Sequence, residues 1–245
     1  INGANVELIH YDTAANPKKA VTFVKRLISQ DKVVAIIGPS TTGETMAILP
    51  FIKKAKIPLL SMAGGISIVQ PTKKYVFKIV ATDRMACQRI MQDLEKRNLK
   101  NLALISGSGG FGKSMREQCI DVAKDYGVNI VADETYGTKD ADMTSQLLKI
   151  KNTKGVNVVL NPGFGQGPAI VTKNYKQLDI KYPLYQSHGV ASKKYIEIAG
   201  TASDGVRLVA PPVVVADKLP LDSPIRNVAI SYKNEYEKEF NAQVS

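Results

Sequence analysis

Short apolar runs alternate along this chain with longer stretches in which apolar residues recur every three or four positions. The runs Val33–Ile37 and Val156–Leu160 are typical of buried strands of a parallel sheet, the first of them buried on both faces, and Leu102–Ser106 is a further predicted strand. The longer stretches predict helices that cross over between such strands, so the chain is predicted to have an α/β fold. The other predicted strands are Val6–Tyr11, Ile57–Leu60, Tyr75–Ile79, Val128–Glu134, Leu184–Tyr185 and Val206–Val215, which Pro211 and Pro212 interrupt.

The helical stretches carry one-sided apolar stripes. The first helix opens at Asn16-Pro17, and the last is Pro224–Phe240. The pattern restarts near Thr82, where Asp83 can cap a helix, and breaks again near Pro211, so two α/β units in series are expected. The stripes are Ala20, Phe23, Val24, Leu27 and Ile28; Met46, Leu49 and Ile52; Met85, Ile90, Met91 and Leu94; and Val228, Tyr232 and Tyr236. The other predicted helices follow Gly107–Gly112 through Val122 and span Met143–Ile150 and Ala169–Leu178, and Ile66–Lys74 is predicted to be a loop.

Small and hydroxyl-bearing residues follow the predicted strands Val33–Ile37 and Ile57–Leu60. Parallel strands end at the same edge of a sheet, and ligands of open α/β sheets bind at that edge. A helix N-terminus with free N–H groups suits a carboxylate. The predicted ligand-binding residues of these turns are Ser40, Thr41, Thr42, Ser61, Ala63, Gly64 and Gly65.

Composition narrows the function classes. The formal charge is +11, but the lysines are spread along the chain in pairs without an arginine cluster, so we expect a solvated basic surface and no nucleic-acid partner. Apolar runs are too short to span a bilayer, and the first residues lack the features of a signal peptide. Cys87 and Cys119 fall in predicted helices; free buried thiols are expected, although the spacing leaves a disulfide open.

Enzyme motifs are weak. The turn Gly107–Gly112 does not match a dinucleotide or Walker pattern, and the chain has no G-x-S-x-G nucleophile motif or metal-ligand cluster. We therefore expect no catalytic residues, metal or cofactor. Catalytic base, ligand contact and structural loop residue all stay open for His188, with ligand contact favoured over catalysis.

Two aromatic residues lie in glycine-rich turns of the second unit. Phe111 and Phe164 are each flanked by glycine, whereas aromatic residues of a core are usually flanked by apolar ones. Small-molecule clefts combine such rings with a few polar groups. We therefore predict that both rings contact a ligand.

The segments VVAIIGPSTTG, IPLLSMAGG, ALISGSGGFGKSMREQ and VVLNPGFGQGPAIVTKNYKQLDIKYPLYQSHGV resemble the type I periplasmic binding fold, and in particular the branched-chain amino acid receptors of ABC transporters. The resemblance covers essentially the whole chain. It implies two lobes that close on a small carboxylate-bearing ligand, with residues 1–82 and 216–245 in the first lobe and residues 83–215 in the second. It also implies a periplasmic or extracellular location, as a lipoprotein in a Gram-positive organism, and an ABC permease as partner.

Site roles follow from the same resemblance. Ser40, Thr41 and Thr42 would bind the ligand carboxylate, and Phe111 and Phe164 would contact its body. The family's usual Ser-Ala-Thr triplet is replaced by the run Ala63-Gly64-Gly65, and Ser187 and His188 stand where an acidic residue often pairs with the ligand's ammonium. An unpaired ammonium in a closed cleft costs about 1–3 kcal/mol or more. We therefore expect a carboxylic acid without an α-amine, an aromatic acid first and a branched aliphatic oxo acid second.

Family members also have a strand and a helix before the segment that resembles Ile1-Asn2-Gly3, and further elements after the last helix. The resemblance therefore implies that the first lobe is incomplete, and self-association through that lobe stays open. Two alternatives to this receptor remain: an amino acid receptor, or a sensory ligand-binding domain of the same fold. An enzyme of α/β type is disfavoured.

Overall fold

The computed structural model describes residue 3 and residues 5–244, and it divides the chain into two compact units, Ile1–Thr82 and Asp83–Ser245. The division falls at the predicted break near Thr82. This division groups residues 216–245 with the second unit. Their assignment to the first lobe stays a prediction. Each unit contains one parallel sheet with helices against it, which confirms the predicted α/β class.

The first unit contains a three-stranded parallel sheet in the order β1-β2-β3. Ile36 pairs with Leu59, and Leu59 pairs with Val76. Its elements are α1 (Pro17–Ser29), β1 (Ile36–Ile37), α2 (Thr42–Ala55), β2 (Leu59–Ser61) and β3 (Val76–Lys78), with a 3₁₀ turn at Ile66–Ile68.

The second unit contains a five-stranded parallel sheet in the order β5-β4-β6-β7-β8. Its first elements are α3 (Asp83–Lys96), β4 (Asn101–Gly107), α4 (Gly110–Ala123), β5 (Asn129–Tyr136), α5 (Thr144–Asn152) and β6 (Val158–Asn161). The remaining elements are α6 (Gly167–Gln177), β7 (Leu184–Gln186), α7 (Lys193–Ala199), β8 (Arg207–Leu208) and α8 (Arg226–Phe240).

Helices cover both faces of the second sheet. Along β4, Leu102 and Leu104 pack with α3 and α4, whereas Ala103 and Ile105 pack with α5 and α6. All four of these side chains are fully buried. Burial on both faces explains why this strand is a continuous apolar run in the sequence.

The helix stripes behave as predicted at most positions. In α1, Asn16 caps the helix by accepting hydrogen bonds from the N–H groups of Lys18 and Lys19, and Ala20 and Val24 are buried against α2. The stripes are wrong at Met46, Met85, Val228 and Tyr232, because these side chains are 39%, 58%, 72% and 56% exposed. The spacing of apolar residues predicts which side of a helix faces the core, but it does not show how far the neighbouring element extends along that side.

The predicted strand Val6–Tyr11 is wrong, since residues 5–13 contain no strand. Val6 and Leu8 are exposed, and no described strand pairs with this segment. The run Val33–Ile37 forms a strand only at Ile36–Ile37, and Ile37 is 67% exposed rather than buried. A strand needs a partner, which an apolar pattern does not supply.

Two further expectations change. The predicted strand Val206–Val215 forms only at β8, and Pro212–Lys218 is a 3₁₀ segment, because the two prolines remove donors that a strand would need. Helix α7 was not predicted; Ser192 caps it by accepting from the N–H of Tyr195.

Cys87 of α3 and Cys119 of α4 form a disulfide bond within the buried core of the second unit. The expectation of free thiols is therefore wrong. The two residues are 32 positions apart, and only the packing of α3 on α4 brings them together. No helix in the described part of the chain is long and apolar enough to cross a membrane.

Candidate functional site

In the first unit, the turns after β1 and β2 lie side by side at the carboxyl end of the sheet. The N–H of Gly65 donates to Thr42 Oγ1 over 3.0 Å, and the N–H of Met62 donates to the carbonyl of Pro39 over 3.2 Å. Both contacts join the two turns, which confirms that the parallel strands deliver them to one edge.

Thr41 caps α2. Its hydroxyl accepts from the N–H of Glu44 over 3.3 Å and donates to Glu44 Oε2 over 2.7 Å. Glu44 itself is 1% exposed, and its other carboxylate oxygen, Oε1, has no hydrogen-bond partner among the described residues. Sequence reasoning missed Glu44, although Thr-x-x-Glu before an apolar stretch is the signature of a capping box.

Ser61 also has an internal role. Thr45 Oγ1 donates its single proton to the carbonyl of Thr41, so the 3.1 Å contact between Thr45 and Ser61 must be donated by Ser61. Ser61 Oγ in turn accepts from the N–H of Ala63 over 3.2 Å. Its hydroxyl proton is therefore committed within the turn, and Ser61 holds the turn in shape.

The remaining donors of this edge are few. Ser40 is exposed, and none of the described hydrogen bonds uses its hydroxyl or the N–H of Gly64. Thr42 Oγ1 accepts from Gly65 and keeps its proton to donate. These three groups each keep a donor that no described hydrogen bond uses, although Thr42 is only 2% exposed, whereas Thr41 and Ser61 shape the turns. Ala63 and Gly65 are buried, and their N–H groups are already bonded to Ser61 and Thr42.

In the second unit, Phe111, Phe164 and His188 form one ring cluster, although they follow three different strands. The ring centroids of Phe111 and Phe164 lie 6.2 Å apart at an interplanar angle of 67°, and those of Phe111 and His188 lie 5.3 Å apart at 75°. Such edge-to-face arrangements are favourable for aromatic rings. The three predicted residues of this unit are therefore together in space.

The rings differ in exposure. Phe111, in the first turn of α4, is 7% exposed and packs with Leu104 and Met115 in the core, whereas Phe164 is 47% exposed. Phe111 is thus part of the core and of the ring cluster, and Phe164 offers the larger free ring surface. Ligand contact at each of them stays a prediction.

Close backbone packing fixes this cluster. A side-chain carbon at Gly112 would lie 2.0 Å from the carbonyl oxygen of Gly107, and one at Gly189 would lie 3.1 Å from the Phe164 ring. Ser187 Oγ donates to the carbonyl of Gly163 over 2.6 Å and accepts from the N–H of Gly189 over 3.2 Å. The glycines of the turn after β4 therefore serve close packing of α4 on the sheet, and Ser187 locks the turns after β6 and β7 together.

A buried polar pair supports the same turns from below. Asn161 Nδ2 donates to the hydroxyl of Tyr136 over 3.2 Å and also to the carbonyl of Ile105. Burial raises the pKa of Tyr136 to about 12, so the phenol stays neutral at ordinary pH. The Tyr136 ring lies directly under Gly163 and Gly167, where any side chain would collide with it.

Within residue 3 and residues 5–244, no group of three His, Cys, Asp or Glu side chains is placed to hold a metal ion.

Comparison with known proteins adds the family. The periplasmic binding protein family profile matches residues 1–243. The chain belongs to the periplasmic binding protein family. This confirms the resemblance drawn from its sequence segments.

Individual family members are distant. The leucine-, isoleucine-, valine-, threonine- and alanine-binding protein of Pseudomonas aeruginosa is 22% identical over 213 residues, which cover 86% of this chain and 57% of that protein. A crystal structure of an extracellular ligand-binding receptor from Rhodopseudomonas palustris is 27% identical, with a TM-score of 0.85 over 95% of this chain and 65% of that one.

A structure of the branched-chain amino acid transporter substrate-binding protein LivJ from Streptococcus pneumoniae, in complex with isoleucine, has a TM-score of 0.83. At 22% identity, over 99% of this chain and 68% of that one, it supports the fold alone. The chain spans about 57% of the Pseudomonas relative's length. The named relatives are binding proteins rather than enzymes.

Proposed function

We propose that this protein is the non-enzymatic, extracytoplasmic solute-binding receptor of an ABC importer and that it captures a small carboxylate, in first place an aromatic acid such as a benzoate or phenylpropenoid. The observation that carries the ligand class is the ring cluster of Phe111, Phe164 and His188. An aromatic ligand ring gains both apolar burial and favourable ring geometry against such a cluster.

The carboxylate would bind to the first unit. The hydroxyls of Ser40 and Thr42 and the N–H of Gly64 are the donors that the internal hydrogen bonds leave available, and they stand at the N-terminal end of α2. In this proposal the first unit binds the carboxylate of the ligand and the second unit binds its ring.

The lack of an acidic residue in two turns argues against an α-amino acid. The turns Pro162–Pro168 and Ser187–Val190 contain no Asp or Glu. An ammonium group enclosed beside them would lose its hydration without gaining a charged partner, which costs about 1–3 kcal/mol or more. A carboxylic acid without an amine avoids that cost.

An amino acid is the second candidate, and two observations favour it. The names of the Pseudomonas relative and of LivJ refer to amino acids. In addition, Oε1 of the buried Glu44 has no hydrogen-bond partner among the described residues, and a buried carboxylate oxygen would be stabilised by an ammonium donor.

The disulfide bond, as well as the family, supports a location of this protein outside the cytoplasm. The buried disulfide between Cys87 and Cys119 is of the kind that persists in oxidising compartments such as the periplasm or the cell exterior. An ABC permease as partner follows from the family alone.

Matched ligand pairs separate the two candidates. Isothermal titration compares 3-phenylpropionate with phenylalanine and 4-methylpentanoate with leucine, since each pair differs only in the α-ammonium. The proposal expects each acid to bind at least about fivefold more tightly than its amino acid, because the unpaired ammonium costs at least about 1 kcal/mol. Tighter binding of the amino acids, abolished in Glu44→Gln, would establish the second candidate and refute the first.

A further inference from the structure

A second concave site lies entirely within the second unit and shares no residue with the ring cluster. It is a cavity of about 540 Å³ between α3 and the edge strand β8. This volume is within the range of small-molecule sites in proteins. Its lining residues are Arg89, Ile90, Gln92, Asp93, Lys96, Tyr185 and the segment 206–210.

A hydrogen-bond network fixes one wall of the cavity. Tyr185 donates to Asp93 Oδ2 over 2.6 Å and accepts from Arg97 Nη1 over 2.7 Å. Arg207 Nη1 lies 3.4 Å from the same Asp93 oxygen. The single acidic side chain of the lining is therefore already engaged by a phenol and a guanidinium, and the wall is held in one geometry.

The other cations of the lining are not neutralised. Arg89 donates to the neutral Gln92 over 3.2 Å, and none of the ion pairs among the described residues involves Arg89 or Lys96. Both belong to α3 and lie seven positions apart, which places them on one face of the helix. The lining thus carries three positive charges against one negative charge, and the excess is the pair Arg89 and Lys96.

Apolar residues also line the cavity. Ile90 is buried, and Val206, Leu208 and Val209 are partly buried at the edge of the sheet. A lining that combines such apolar side chains with unneutralised cations suits a molecule that has an apolar body and an anionic head.

We propose that this cavity is a second ligand site of the protein, which takes a small amphipathic organic anion, its carboxylate or phosphate head on Arg89 and Lys96 and its apolar body against Ile90, Leu208 and Val209. The site is independent of the ligand that the ring cluster binds. It would let a second anion bind the same unit without competing for Phe164 or His188.

The test uses ¹⁵N amide spectra of the full chain titrated with octanoate, octyl phosphate and octylammonium, three probes with the same apolar body. The proposal expects saturable shifts of residues 89–96 and 206–210 with either anion and none with octylammonium. In Arg89→Glu/Lys96→Glu the anion affinity should fall about tenfold or more, because both head-group contacts become repulsive.

The control is Lys173→Glu, an exposed lysine of α6 on the opposite face of the sheet, which should leave the affinity unchanged. Arg89→Gln/Lys96→Gln serves in place of the double reversal if that variant does not fold. Absence of saturable shifts at these residues with both anions, equal binding of octylammonium, or unchanged affinity in the double variant would overturn the proposal. Shifts confined to the ring cluster would also overturn it while leaving the proposed receptor function intact.

Discussion

Phe164→Ala separates ligand contact from structural support. Phe164 is 47% exposed, so nearly half of its side-chain surface is free to be covered by a ligand. With about 200 Å² for a phenylalanine side chain and about 25 cal/mol per Å², covering that free part contributes about 2 kcal/mol to binding. The variant should therefore bind the tightest of benzoate, cinnamate and 3-phenylpropionate about 30-fold more weakly.

Phe77→Ala is the matched control. Phe77 lies in β3 of the first unit and is 58% exposed, so truncating it removes a similar amount of partly buried surface. Both variants should lose about 1–2 kcal/mol of unfolding free energy, measured by urea denaturation without ligand.

Isothermal titration of both variants gives the decisive comparison. Only Phe164→Ala should lose affinity. Ligand contact at Phe164 is ruled out if Phe164→Ala binds the acid within about twofold of the wild type, since the predicted loss is more than ten times larger. It is also ruled out if Phe77→Ala loses as much affinity.

Three further predictions concern stability. Reducing the disulfide or making Cys87→Ala/Cys119→Ala should lower the unfolding free energy by about 3–4 kcal/mol, the loop-entropy expectation for residues 32 positions apart; an equal urea midpoint with and without reductant would contradict it. Thr41→Ala should cost about 1–3 kcal/mol in urea denaturation, because it removes the cap of α2 and a partner of the buried Glu44; a loss below about 0.5 kcal/mol would contradict it. Because burial raises the pKa of Tyr136 to about 12 from 10.0, its protonated form contributes stability that is complete below pH 10 and is lost between pH 10 and about 12. Between pH 9 and 12, the unfolding free energy of Tyr136→Phe should therefore fall by about 2–3 kcal/mol less than that of the wild type. An identical fall in both proteins would contradict the raised pKa of Tyr136.

The central strands of the second unit were predictable from their apolar runs. Leu102–Ser106 and Val156–Leu160 lie inside the sheet with a parallel neighbour on each side, so their apolar pattern and their burial agree. The first unit shows the opposite case. Val6–Tyr11 has the composition of a strand, but no described strand pairs with it, and the segment stays irregular. Strand formation depends on a partner that the pattern does not contain.

The candidate site shows a similar limit. Sequence placed Ser40, Thr41, Thr42 and Ser61 at one sheet edge, which the structure confirms for the turns that carry them. The sequence did not show which of these hydroxyls already donate to the protein itself, as those of Thr41 and Ser61 do. That distinction depends on the contacts that Glu44 and Thr45 make in the folded chain. The disulfide was open for the same reason, since the pairing of Cys87 with Cys119 follows from helix packing.

The proposed function assigns the carboxylate of one ligand to the turns of the first unit and its ring to the ring cluster of the second unit. Titrating the ¹⁵N-labelled chain with 3-phenylpropionate while following the amides of Ser40, Thr42, Gly64, Phe164 and Gly189 tests it most directly. We expect saturable shifts of all five amides with one common dissociation constant. Shifts confined to one unit, or two different dissociation constants, would contradict it.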